Sequence, residues 1–212
     1  MLDLGALHPV DAALLSTLPI VPATRNGPLP PLEVGQRRLI AAHEALFLEV
    51  RSVALHARVP LGPLPMPIPY GEVAPFLRLA GGPIPASRLH QLVDAAVAAY
   101  PSETARLIEW TTDGAYAIHE PDVVDASGSM VRYHDEVPDL RLVVDMHSHG
   151  THGAYFSTTD DASDLSRPGP YLALVVGSCR TRETARITAR LCSGPFLVPV
   201  NLAAYGVFRE DA

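Results

Sequence analysis

The sequence predicts an α+β fold: a mixed β-sheet with packed helices, preceded by a smaller proline-rich region that contains strands. Three features carry this expectation. Prolines punctuate the first 34 residues, apolar and polar residues alternate between Arg38 and Pro60, and a helical period followed by strand-length apolar runs begins at Ser87.

Pro9, Pro19, Pro22, Pro28, Pro30 and Pro31 stand among apolar residues, so this stretch is expected to wrap or extend without a long helix or strand. The alternation that follows, as in Phe47-Leu48-Glu49-Val50-Arg51, is the period of half-buried strands and predicts a hairpin or meander. Prolines and glycines then crowd residues 59–75, and Gly81-Gly82-Pro83 repeats the signal, which places a boundary near residue 80 and divides the chain into 1–80 and 81–212. From Ser87, SRLHQLVDAAVAAY sets Leu89, Val93, Ala96 and Val97 on one helical face, with Ser87 the expected N-cap and Pro101 the stop. ARLIEW and AYAIHE read as strands joined around Thr112-Asp113-Gly114, an Asp-Gly turn. LRLVVDMHSH is a further strand, and YLALVVGSC, TARITARLC and FLVPVNLAAY are strands or buried segments; no internal repeat is present.

Charge and composition exclude several function classes. The 212 residues are 48% hydrophobic and 18% charged, enough for one sizeable core or two small ones. A net charge of −7 without an arginine cluster argues against a nucleic-acid partner. Acidic residues gather between Glu120 and Asp164, which suits a metal or a cationic partner. No apolar run of about 18 residues is available to span a bilayer, and Met1-Leu2-Asp3-Leu4-Gly5 lacks the start of a signal peptide, so a cytoplasmic protein without a membrane partner is expected. Cys179 and Cys192 are too few and too far apart for a disulfide framework or redox pair, and are read as buried thiols. All sixteen basic residues are arginine, the usage of a GC-rich coding sequence, which also leaves no side-chain acceptor for a lysine-modifying system.

The chemistry concentrates in Asp145-Met146-His147-Ser148-His149 and Phe156-Ser157-Thr158-Thr159-Asp160-Asp161. Alternate side chains of a strand share a face, so His147 and His149 project together from the end of an apolar strand as half of a zinc site. Taken alone, His-X-His is more often hydrogen-bonded than metal-bound, and Ser157-X-X-Asp160 is the capping box of a short helix. Together, separated by seven residues, they spell the JAMM motif.

Across roughly residues 85–212 the chain resembles the JAMM/JAB (MPN+) zinc metallopeptidases. VVDMHSHGTHGAYFSTTDD, with a helix before it, is most similar to the A proteins of bacterial PRTRC systems. The resemblance implies a JAB/MPN-like fold and one zinc ion per chain held by His147, His149 and Asp160. It implies Glu103, just after the helix, as the general base that takes a proton from zinc-activated water and passes it to the leaving amine, with Glu109 and Glu120 as weaker alternatives. Ser157 would donate to the oxyanion, and Asp145, Asp161 and Asp164 could orient the ligands. Two positions depart from the family pattern: Ala105 and Arg106 stand where a glycine usually follows the glutamate, and Gly150 replaces a proline common after the second histidine. His152 is an extra histidine, either a transient fourth ligand or a surface residue.

The implied activity is a peptidase or isopeptidase that cuts after the C-terminal tail of a ubiquitin-like protein. A catalytically silent scaffold of the same fold that binds such a partner is the alternative, disfavoured by the intact ligand set. Amidohydrolase or PHP-type barrels also use His-X-His, but place it near the chain start and need later histidines, whereas none follows His152.

Overall fold

The computed structural model describes residues 7–126, 131–134 and 136–211; the Met1 to Gly5 stretch that bears on a signal peptide lies outside them. The fold is α+β and forms two compact units, one of residues up to Ser52 together with His56–Leu77, the other of Val53–Leu55 together with Arg78 onward.

The first unit opens with a helix, α1 (Pro9–Thr17), where only wrapping or extended chain was expected. Proline suits the first helical turn, whose N–H groups lack intrahelical partners, and Pro19 follows just beyond the C-cap Leu18, so the two prolines bound the helix instead of breaking it. Strands β1 (Ile20–Pro22), β2 (Arg37–Ala41), β3 (Ala45–Arg51), β4 (Leu55–Pro63) and β5 (Phe76–Leu79) lie in that order in one sheet. The β2–β3–β4 meander is the one the alternation predicts. Its register lines up Arg38, Glu49 and Arg58 across three strands.

Glu49 is 1% exposed and accepts from Arg38 Nε at 2.9 Å, His56 Nε2 at 2.9 Å and Arg58 Nη2 at 3.2 Å. Burial would raise its carboxyl, but hydrogen bonds from His56 and Arg38 and the charges of Arg38 and Arg58 hold it at about 2. A carboxyl depressed in the folded state contributes stability that is complete above its unfolded value near 4.5 and is lost as pH falls towards 2. We expect urea unfolding followed at the β2–β4 amides to lose roughly 3 kcal/mol across that window. Glu49→Gln should flatten the loss, and an unchanged pH profile in that variant would refute the assignment.

The second unit is built on a six-stranded sheet, order β14-β13-β12-β11-β7-β8. Its elements are β6 (Ile84–Pro85), α2 (Ala86–Ala99), β7 (Ala105–Trp110), β8 (Tyr116–His119), β9 (Asp122–Ala126), β10 (Val131–His134), β11 (Leu142–Ser148), α3 (Thr158–Ser166), β12 (Tyr171–Gly177), β13 (Arg186–Ser193), β14 (Phe196–Pro199) and β15 (Phe208–Arg209). Two details differ from expectation in α2. Its N-cap is Pro85, and Ser87 lies inside the first turn, where its N–H donates to Asp211 at 3.3 Å. Its buried side chains are Leu92 and Ala96: Ala96 lies on the expected face, while Leu92 was left out of it and Leu89, Val93 and Val97 are only partly buried.

β11 runs parallel to β12 and antiparallel to β7, which places it inside the sheet, and Leu142, Val143, Val144 and Met146 are fully buried there. A parallel pair requires a crossover, supplied here by the chain through α3. Ligand sites of such sheets open at the carboxyl ends of the strands, where the chain leaves for the crossover helix. Among the described residues no helix is long and apolar enough to cross a membrane.

Candidate metal centre and its cleft

β11 delivers His147 and, one residue past its end, His149; α3 delivers Asp160 from its first turn. His147 Nε2 lies 3.2 Å from His149 Nε2 and 3.2 Å from Asp160 Oδ1, and His149 Nε2 is 3.5 Å from Asp160 Oδ2. Among the described residues these three form the one group of His, Cys, Asp or Glu side chains whose ligand atoms converge. Tetrahedral zinc with bonds near 2.0–2.1 Å sets its ligand atoms about 3.3 Å apart; the two imidazoles and Asp160 Oδ1 meet this around His147, and the two-His, one-carboxylate donor set suits the ion.

The capping box and the candidate ligand are one device. Ser157 is the N-cap of α3; its backbone N–H donates to Asp160 Oδ2 at 2.6 Å, and Asp160 N–H donates to Ser157 Oγ at 3.2 Å. The cap turns the carboxylate so that Oδ1 faces His147, while the helix N-terminus favours its negative charge. Burial would raise the Asp160 carboxyl, but hydrogen bonds from His147 and His149 hold it well below the usual range. At His147 burial opposes the charged form, and the Asp160 contact outweighs it and raises the imidazole.

Glu103 sits in the turn between α2 and β7, 6% exposed, and lines the same cleft of about 1030 Å³ as the three donors. Burial raises its carboxyl, offset in part by His149 and His147. Its position is set through Thr104, whose N–H donates to Ser148 Oγ at 3.0 Å and whose carbonyl accepts Ser148 N–H at 2.9 Å, so the residue between the two histidines ties down the glutamate's neighbour. The alternatives lie elsewhere. Glu109 pairs with His119 at 2.8 Å and Glu120 with Arg106 at 2.9 Å, and both line a separate cavity of about 380 Å³. Ala105, at a position where the family pattern departs, is fully buried opposite His147.

The second departure has a geometric cause. Gly150 has φ +48° and its missing Cβ would stand 2.2 Å from the Pro101 carbonyl oxygen. Proline, locked near −65°, cannot adopt this backbone, and any side chain would strike the segment that leads into Glu103. Gly177 performs the same service on the other flank, its Cβ position lying 2.1 Å from Ala154 N. Gly150→Ala should therefore cost about 1–3 kcal/mol in strain, read as a lowered Tm, whereas Gly153→Ala, with open space around it, should not. Equal melting of the two variants would contradict this.

Residues 85–191, half of the chain, match the family described as prokaryotic homologs of the JAB domain. The chain belongs to this family. Residues 8–80 match a domain of unknown function, DUF2016. No curated protein matches the chain. Among solved structures it is similar to a protein from Salinibacter ruber determined in solution, 20% identical, over 56% of this chain and 88% of that one, with a TM-score of 0.37. The JAB family includes metallopeptidases.

The JAB-family cleft also contains residues that sequence reasoning missed. Tyr155, 52% exposed, sets its ring edge-on to His149 with centroids 4.9 Å apart, and no sequence period marks it. Tyr133 and Arg167 line the far wall, where the Tyr133 hydroxyl donates to Asp145 at 2.5 Å and Arg167 Nη1 donates to it at 3.3 Å. Burial raises the Asp145 carboxyl to about 6 against both contacts. His152 lines the cleft as an exposed residue of the ligand loop and stands outside the converging group. Both cysteines are buried, and burial raises both thiols.

Proposed function

We propose that this chain is a zinc-dependent peptidase or isopeptidase, with one zinc ion held by His147, His149 and Asp160, acting on the amide bond that follows the C-terminal tail of a ubiquitin-like protein. The observation that carries the reading is the convergence of two imidazoles and one carboxylate, their ligand atoms within 4.8 Å of one another, beside a buried glutamate in an open cleft. Zinc, when bound, supplies a Lewis acid and brings the pKa of water down to about 7.

The remaining steps belong to the chain. Glu103, whose burial favours holding a proton, takes one from the attacking water and returns it to the leaving amine. Ser157 Oγ accepts from Asp160 N–H, which leaves its own hydroxyl proton to donate to the oxyanion, a contact that contributes roughly 10²–10³-fold in rate. The substrate part of this proposal draws on the sequence resemblance to the PRTRC A proteins, and membership in the prokaryotic JAB family is what supports it.

The test is hydrolysis of a ubiquitin-like tail fused to a fluorogenic amine. A strong chelator should abolish cleavage, added zinc should restore it, and thiol alkylation should leave it intact because Cys179 and Cys192 are buried. Cleavage that survives chelation overturns the mechanism. Zinc binding without cleavage of any such substrate would instead favour the silent scaffold.

A further inference from the structure

Helix α3, which carries Asp160, is seated in an unusual way. Of its nine residues, Thr158–Ser166, all described, the buried one is Asp164, whereas its lone leucine, Leu165, is 44% exposed. A short helix is ordinarily held by an apolar stripe, because its own hydrogen bonds do not stabilise it. This one packs against β13 and β14 through a carboxylate.

The partner is Arg190 on β13, 5% exposed. Its Nε and Nη2 donate to Asp164 Oδ2 at 2.8 and 2.6 Å, its Nη1 donates to Asp161, and its guanidinium lies over the Phe156 ring, 3.7 Å from the centroid. Tyr171 and Cys192 complete the shell, the Tyr171 hydroxyl donating to Asp164 Oδ1 at 2.9 Å and the Cys192 thiol to Oδ2 at 3.3 Å. One strand residue thus grips the chain at 156, immediately before Ser157, at 161, immediately after Asp160, and at 164, one helical turn further on. Asp164 is one helical turn from Asp160 and therefore on the same side of α3. Arg190 also offsets two carboxylates that would otherwise repel the candidate ligand.

We infer that Arg190 is the positioning residue of the site, holding the Ser157–Asp160 turn at the distance from His147 and His149 that metal binding needs; this rests on the proposed zinc reading. A buried ion pair contributes little stability compared with well-packed apolar residues, whereas the planar guanidinium fork fixes direction as well as distance. The arrangement therefore acts through geometry and does not merely fasten the helix.

Arg190→Met alone strands the Asp164 charge and would unfold the unit for that reason, so the informative variant is Arg190→Met/Asp164→Asn, which neutralises both partners. Phe156→Leu removes the stacking alone. Near-UV circular dichroism should show the double variant folded. In metal-free protein, exchange of the 157–166 amides should accelerate at least about tenfold while β11 and β12 stay protected. Cobalt(II) affinity should fall about 10–100-fold, with an altered visible spectrum, and Phe156→Leu should give a smaller change of the same kind. Arg190→Lys, which keeps the charge without the fork, should restore folding but only part of the cobalt affinity. Exchange and cobalt binding equal to the parent in the double variant would overturn the inference. If the parent takes up no cobalt, the zinc reading fails, and amide exchange alone decides whether the clamp exists.

Discussion

Glu103→Gln is expected to lower turnover by about 10²–10⁴-fold while leaving metal content and melting temperature close to the parent's. The substitution keeps size and hydrogen bonding and removes only the basic carboxylate. Glu103 is buried among the candidate ligands' charges, and its neighbour Thr104 is bonded at both N–H and carbonyl to Ser148, so glutamine should occupy the same place. Glu109→Gln and Glu120→Gln serve as controls, because those carboxylates pair with His119 and Arg106 in another cavity. Parent-like cleavage by Glu103→Gln, with loss in either control, would show that the proton shuttle has been misassigned.

The other large effect is expected at the ligands themselves. His149→Ala and Asp160→Ala should each lose most of the bound zinc, since a site of three protein donors with an open position does not survive on two. Asp160→Ala should also destabilise the protein, because it removes the N3 half of the capping box. Ser157→Ala separates the two roles: it gives up the cap, worth about 0.5–2 kcal/mol, and should keep the metal. Zinc analysis alongside thermal melts of the three variants reads both quantities. Full zinc retention in His149→Ala would remove that residue from the site.

How much of this was legible beforehand depended on how local each feature is. The strand period around His147 and His149 and the Ser157–Asp160 spacing are properties of a few consecutive residues, and the structure brings the four side chains together. The capping-box reading of Ser157-X-X-Asp160 and its ligand reading turn out to describe the same geometry, in which the cap aims the carboxylate. The β2–β4 meander and strands β7, β8 and β11 followed from alternation and apolar runs for the same reason, and the apolar runs read as strands or buried segments are β12, β13 and β14. Tyr155, Tyr133 and Arg167 were not legible, since their place in the cleft depends on where a loop, a hairpin and a helix end meet. Strands β9 and β10, in an acidic stretch without clean alternation, were missed as well. Gly150 looked like a family departure, and only its φ of +48° and the nearby Pro101 carbonyl show what the glycine is for. The acceptor for the Ser87 N–H in the first turn of α2 is Asp211, more than a hundred residues away in sequence and so beyond any local reading.

Whether one metal ion sits among His147, His149 and Asp160 can be read from anomalous scattering at the zinc edge in crystals of zinc-loaded protein. One strong peak per chain is expected, within about 2.0–2.2 Å of both Nε2 atoms and of an Asp160 carboxylate oxygen. A zinc peak bound elsewhere, or none between these three side chains at full zinc loading, would contradict it.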